Sequence, residues 1–229
     1  MKSIGIIGGM GPLATCDLFG KIINNTNARI DQDHIHVYID NNTEIPDRTA
    51  AILYGGKSPV AQLVRSAIKL ESMGADALIM PCNTAHYFYD EVIKYVNIPM
   101  IHMPKETARE IKANKYKKVA ILATEGTLQS GIYQKAFDEE EINYLIPSES
   151  QQKPIMKIIY DGIKAGNYGI DIRDFYDVLD DMFDKGAEAV VLACTELPLA
   201  FDKFEIDYPN IDPTEILAKA AIRFATENL

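Results

Sequence analysis

Two cysteines stand in matching surroundings in this chain. Cys82 sits in GADALIMPCNTAH (residues 74–86) and Cys194 in GAEAVVLACTELP (residues 186–198). Each follows an apolar run and precedes a polar pair, Asn83-Thr84 in one case and Thr195-Glu196 in the other. A single cysteine is most often a small buried apolar side chain, but repetition in two polar settings points to chemistry. A thiol at the end of a buried strand and the start of a helix faces unpaired backbone N–H groups and the positive end of a helix dipole, which favour a thiolate or a bound carboxylate. In open parallel sheets, ligands sit outside the carboxyl ends of the strands. Two thiols flanking one cleft suit the inversion of a carbon centre, in which one removes a proton from one face while the other delivers a proton to the opposite face. Cys16, on an apolar stripe of the first helix without polar company, reads as core.

The elements that must position these thiols follow a strand–helix alternation. Residues 3–8 read as a buried strand, and 12–30 as a helix with Leu13, Cys16, Phe19, Ile22 and Ile23 at roughly helical spacing. A second strand is expected at 36–40 and a helix at 58–73, beginning with Ser58 as N-cap and Pro59 at its first position. A third strand at 77–81, a helix at 84–96 and a fourth strand at 99–103 follow. The scheme then restarts: strands at 118–124, 142–147 and 189–193, helices at 150–165 and 171–185, an echo of the fourth strand in 208–216, and a last helix at 213–227 that crosses back onto the first half. Short apolar strands without strict alternation, separated by helices, indicate parallel sheets covered on both faces. The expected fold is therefore α/β, with two similar three-layer α/β/α halves. Each carries a parallel four-stranded sheet, a pseudo-two-fold axis relates them, and the active site lies between them. The expected domains are residues 1–103 plus 213–229, and residues 104–212.

Composition narrows the function classes. The chain has 229 residues, 47% hydrophobic and 24% charged, with three cysteines and a net charge of −10. That balance is ordinary for a globular protein, and an odd, small cysteine count does not make a disulfide framework. The acidic balance argues against nucleic acid and against an anionic membrane surface, and no apolar run approaches the length of a membrane span. The opening MKSIGIIGGMGP enters a strand pattern at once and lacks the features of a secretory signal, so a cytoplasmic location is expected. An anionic substrate would need cations placed locally.

Taken together, IGIIGGMGP (4–12), IPDRT (45–49), MPCNTAH (80–86), GIKAG (162–166) and LACTELPL (192–199) resemble the cofactor-independent aspartate/glutamate racemase superfamily along the whole chain. Within it, Gly-Gly-Met-Gly-Pro after the first strand, where glutamate racemases have Asp-Ser-Gly, is similar to the aspartate branch. The resemblance implies an isomerase that interconverts L- and D-aspartate with Cys82 and Cys194 as the acid/base pair, without cofactor or metal. It implies further that Asn83, Thr84, Thr195 and Glu196 line the site. Arg48 would hold the substrate's side-chain carboxylate, Lys164 would stand close by, and Met10, Thr124 and Thr127 would lie on the corresponding loops of the two halves. Arg48 suits its role because a planar guanidinium binds a carboxylate bidentately. A homodimer is the expected assembly, with a small amino acid as the only other partner. Broad-specificity amino-acid racemases and other isomerases share this scaffold and remain alternatives.

Two readings from other classes are weaker. Gly9-Met-Gly11-Pro-Leu-Ala14 fits a loose dinucleotide fingerprint with Asp40 at the end of the second strand, but Pro12 lacks an N–H that a pyrophosphate would use. Cys82 and His86, four apart, with Cys194 as a third ligand, would make an incomplete zinc site.

Overall fold

The structure, a computed structural model, describes residues 1–226. The last residue of the helix expected at 213–227, and the end of the domain expected to reach 229, lie outside the described residues. The chain divides into two compact units, Met1–Glu106 with the C-terminal segment from Thr214, and Thr107–Pro213.

In the first unit β1 (Ile4–Gly8) is the central strand, with β2 (Val37–Asn41) and β3 (Ala77–Ile79) parallel on either side. Ile4 and Ile6 point to one face, where they pack with Leu18 and Ile22 of α1 (Pro12–Asn25) and with Leu217, Ala218 and Ala221 of α11 (Pro213–Thr226). Ile7 and Leu78 point to the other, against Leu63, Ala67 and Leu70 of α3 (Val60–Ser72). Burial on both faces accounts for the unbroken apolar strands. The fourth strand expected at 99–103 is reduced to a single bridge, Leu78 to Met100, held by Leu78 N–H to Pro99 O (2.8 Å) and Ile101 N–H to Leu78 O (2.9 Å). Pro99 has no N–H to extend the ladder, and α5 (Met103–Ala113) starts at once.

Several helices differ from expectation for local reasons. The first ends at Asn25 rather than 30, because Asn25 Nδ2 and Thr26 Oγ1 turn back onto the carbonyls of Lys21 and Ile22. Its sheet-facing side is Ala14, Thr15, Leu18 and Ile22, while Leu13, Cys16, Phe19 and Ile23 are exposed. Cys16 is therefore not core. The rotation follows from a close approach: a Cβ on Gly8 would lie 2.5 Å from the Thr15 methyl, and Thr15 Oγ1 accepts from the Gly9 N–H at 3.0 Å. In the third helix Pro59 takes the N-cap position and Ser58 Oγ accepts from the Val60 N–H. The helix expected at 84–96 is broken into a 3-10 turn Thr84–Phe88, α4 (Tyr89–Val92) and a second 3-10 turn Ile93–Tyr95, as its aromatic and β-branched content favours. A helix not expected, α2 (Arg48–Leu53), is capped by Asp47, which accepts from the Ala50 N–H at 2.7 Å.

The second unit has the sheet order β5 (Asn143–Leu145), β4 (Lys118–Ala123), β6 (Ala189–Ala193), β7 (Asn210–Ile211), all parallel. Ala120, Leu122, Val190 and Leu192 face α8 (Glu149–Lys157), α9 (Arg173–Asp184) and α10 (Glu196–Lys203). After β4 come α6 (Glu125–Ser130) and α7 (Ile132–Glu139), the latter with Tyr133 and Phe137 fully buried. The helix expected at 150–165 runs as α8 and then as a π-helical segment, Ile158–Lys164. Among the described residues no helix is long and apolar enough to cross a membrane.

Because Leu217 is fully buried in the cluster with Ile4, Ile6 and Leu18, Leu217→Ala should destabilise the protein by about 2–5 kcal/mol. Urea unfolding measures this, and a loss below about 1 kcal/mol would mean that α11 is not part of that core.

Candidate active site

In each unit the carboxyl end of the strand beside the central one delivers a cysteine. Cys82 follows β3 and Cys194 follows β6, and both are buried. They differ in what supports them.

In the second unit, Cys194 Sγ donates to Glu196 Oε2 at 3.0 Å, and Thr195 Oγ1 to the same oxygen at 3.3 Å. Glu196, the first residue of α10, is only 5% exposed, and its other oxygen pairs with Lys164 Nζ at 2.7 Å. Lys164 ends the π-helical segment and also lies 5.6 Å above the Tyr160 ring. Burial, and then the Glu196 carboxylate, push the Cys194 thiol well above its ordinary range, while Lys164 partly opposes them. That combination favours the protonated form of the Cys194 thiol. Thr124 caps α6, with its Oγ1 3.0 Å from that of Thr127 and 3.3 Å from the Thr127 N–H, and both residues are buried.

In the first unit, Cys82 and Met10 share one apolar cluster with Ile7, Ile45 and Met80. Arg48, at the start of α2, donates from Nη1 to the carbonyls of Ile45 (3.3 Å) and Pro46 (3.0 Å), and from Nη2 to Met10 O (3.3 Å). Those three contacts fix the plane of the guanidinium beside the loop that follows β1. Asn83 and Thr84, both buried, open the 3-10 turn after Cys82. The structure thus brings Met10, Arg48, Cys82, Asn83 and Thr84 to the carboxyl edge of one sheet. On the other sheet's edge it gathers Thr124, Thr127, Cys194, Thr195, Glu196 and Lys164.

The zinc and nucleotide readings lose their footing. His86 uses Nδ1 on the Cys82 carbonyl (2.9 Å) and Nε2 on the Met103 N–H (3.2 Å), leaving neither nitrogen for a metal. Asp40 pairs with Lys69 at 2.7 Å, and the Gly9 N–H is taken by Thr15. Sequence reasoning missed the π-helical segment and the engagement of His86. Pro154, which interrupts the helical ladder of α8, was a signal for the former. The latter depends on Met103, far along the chain, and had none.

The sequence matches the Asp/Glu/hydantoin racemase family over residues 7–221. This chain belongs to that family. A broad-specificity amino-acid racemase of Bacillus subtilis (strain 168), RacX, is 31% identical over 227 residues, 96% of each chain. A glutamate racemase of Persephonella marina is 28% identical over 189 residues, 79% of this chain and 70% of that protein. Among solved structures, the aspartate racemase of Picrophilus torridus matches with a TM-score of 0.86 at 36% identity, covering 98% of this chain and 94% of that one. As a member of this racemase family the protein is an isomerase.

The carboxylate beside Cys194 generates a prediction for this racemase. Glu196→Gln removes a negative charge that holds the thiol protonated and leaves the Lys164 cation, so the Cys194 pKa should fall. In a Cys16→Ser, Cys82→Ser background, the pH profile of iodoacetamide alkylation of Cys194 should move to lower pH. An unchanged or upward-shifted profile would show that Glu196 does not govern this thiol.

Proposed function

We propose that the protein racemises aspartate by a two-base mechanism in which Cys82 and Cys194 act on opposite faces of one α-carbon. The observation that carries this reading is the hydrogen-bonded series Cys194–Glu196–Lys164, which keeps one thiol protonated at a strand end equivalent to the one that carries Cys82. For one enantiomer the Cys82 thiolate takes the α-proton, breaking C–H and forming S–H. Cys194 then gives up its S–H proton to the other face of the carbanion. The reverse direction exchanges the two roles. When Cys194 has given up its proton it becomes a thiolate beside Glu196, and Lys164 offsets the added charge.

An amino-acid α-proton is far less acidic than a thiol, so the carbanion must be strongly stabilised. Backbone N–H groups at the helix starts and the side chains of Asn83, Thr84, Thr124, Thr127 and Thr195 supply donors suited to the substrate α-carboxylate. In this reading the chemistry draws on no cofactor. Aspartate is favoured over neutral amino acids because an acidic chain of net charge −10 carries Arg48 at the start of α2, beside the loop after β1, its guanidinium already oriented by three carbonyls. The substrate class has support in the likeness to the Picrophilus torridus enzyme, while the likeness to the broad-specificity Bacillus subtilis enzyme favours a wider range. Arg48 is where the two readings separate.

Two tests follow. Cys82→Ser and Cys194→Ser should each reduce aspartate racemisation at least about 100-fold, the scale of a lost general acid or base. In D₂O each variant should still exchange the α-proton of one enantiomer, since one thiol remains. A single variant that racemises at the wild-type rate would end the two-base proposal.

Arg48→Gln should lower kcat/KM for aspartate roughly 30- to 1,000-fold, from the about 2–5 kcal/mol lost when one partner of a charged hydrogen-bonded pair is removed. A neutral amino acid such as alanine should lose much less. Equal losses on both substrates would assign Arg48 to the loop or the α-carboxylate, and the aspartate reading would fall.

A further inference from the structure

The two thiols of the proposed mechanism are supported in different ways, and the support of Cys82 rests on a residue outside the reacting set. Cys194 is addressed through its sulfur by Glu196. Cys82 is addressed through its backbone. It follows a strand of only three residues, β3, and sits in a tight loop closed by its own N–H onto Met80 O at 2.9 Å. Beyond that loop, His86 reaches back one turn to the Cys82 carbonyl and outward to the first residue of α5.

The partners decide the tautomer. A carbonyl only accepts, so Nδ1 carries the proton that Cys82 O receives; a backbone amide only donates, so Nε2 is the bare nitrogen that accepts from Met103. A protonated ring would turn an N–H against the Met103 N–H. Burial, and then the neighbouring His102 with ring centroids 5.2 Å apart, lower the His86 pKa to about 3 against the opposing pull of the Cys82, Ile101 and Asn83 carbonyls. Tyr89, stacked at 6.5 Å, completes the surroundings of the ring. A neutral ring brings no charge to Cys82. Its effect on the thiol is geometric.

We propose that His86 is the positioning residue for Cys82, a neutral clamp that ties the cysteine's peptide to the start of α5 and so sets the direction of the thiol. The need for it follows from the fold. In the second unit β6 is five residues long and continues against β7, whereas in the first the fourth strand is a single bridge. The position that corresponds to His86, counted from Cys194, is Pro198, which offers no such hydrogen bonds. A side chain that spans from Cys82 to Met103 does what a continued ladder does elsewhere. Misplacement of a reacting group by about 1 Å commonly costs on the order of 100-fold in rate.

This inference rests on the two-base reading, and the experiment separates the two. His86→Asn places an amide donor near Nδ1 and keeps the bond to Cys82 O while losing Met103. His86→Gln places an acceptor near Nε2 and keeps Met103 while losing Cys82 O. With aspartate as substrate, each variant breaks the span between Cys82 and Met103, so both His86→Gln and His86→Asn should lower kcat at least about 10-fold with KM little changed. In a Cys16→Ser, Cys194→Ser background, the rate of Cys82 alkylation by iodoacetamide should change in both His86 variants. This arm needs no turnover, so it reads the clamp even if the wild-type protein racemises no aspartate. A third measurement needs no variant at all: ¹⁵N NMR of the wild-type protein should show the neutral Nδ1–H tautomer of His86 at about pH 5, well above its lowered pKa. A wild-type kcat and alkylation rate in either His86 variant, or an imidazolium at that pH, would overturn the proposal.

Discussion

A carboxylate buried beside a thiol is costly unless a cation answers it, because neither group retains the water that would stabilise its charge. Glu196 stands in that position, with the Cys194 sulfur on one oxygen and Lys164 on the other. One segment of the second unit brings Lys164 there. The lysine lies at the end of the π-helical segment, and that segment packs into the core through Ile158, Ile159 and Ile163. Gly162 lets it settle against Ile170 and Phe204, since a Cβ there would lie 3.0 Å from the Ile170 side chain. A wider turn of this kind is rare in helices and collects at functional sites. Here it has a definite consequence, a cation held next to a buried acid.

The first unit handles its polar groups through backbone contacts instead. Arg48 spends guanidinium donors on the carbonyls of Ile45, Pro46 and Met10, and His86 spends both ring nitrogens on the peptides of Cys82 and Met103. Both arrangements lower the conformational freedom of a side chain before any substrate arrives, which is the condition for selective recognition of a small ligand. A scaffold of this kind can change its substrate by altering a few side chains on the loops at the strand ends while the sheets stay as they are. The family to which the chain belongs includes members named for aspartate, for glutamate and for a broad range of amino acids.

Legibility from sequence tracked the range of the interactions involved. The buried strands at 4–8, 118–123 and 189–193 were readable because a parallel strand covered on both faces needs a local apolar run. The matched settings of Cys82 and Cys194 were readable because each lies close in sequence to its own strand and turn. The side of α1 that faces the sheet was not, since both sides of that helix are apolar and the choice was made by the contact of Thr15 with Gly8. Nor was the loss of the fourth strand in the first sheet, where Pro99 and the early start of α5 left too little backbone to pair.

By itself, the sequence determined the alternation of strand and helix, the two repeated strand ends, the polar residues beside each cysteine and the membership of a family. These follow from periodicity and from residue types at short spacing, which local chemistry governs. Only the tertiary structure decided that Glu196 would take both Cys194 and Lys164, that Arg48 would lean on Met10 O, and that His86 would join Cys82 to Met103. The contacts of Glu196 with Lys164, of Arg48 with Met10 and of His86 with Met103 join segments whose separation along the chain carries no information about their distance in space, and only the packing of helices on a sheet brings them within hydrogen-bond reach.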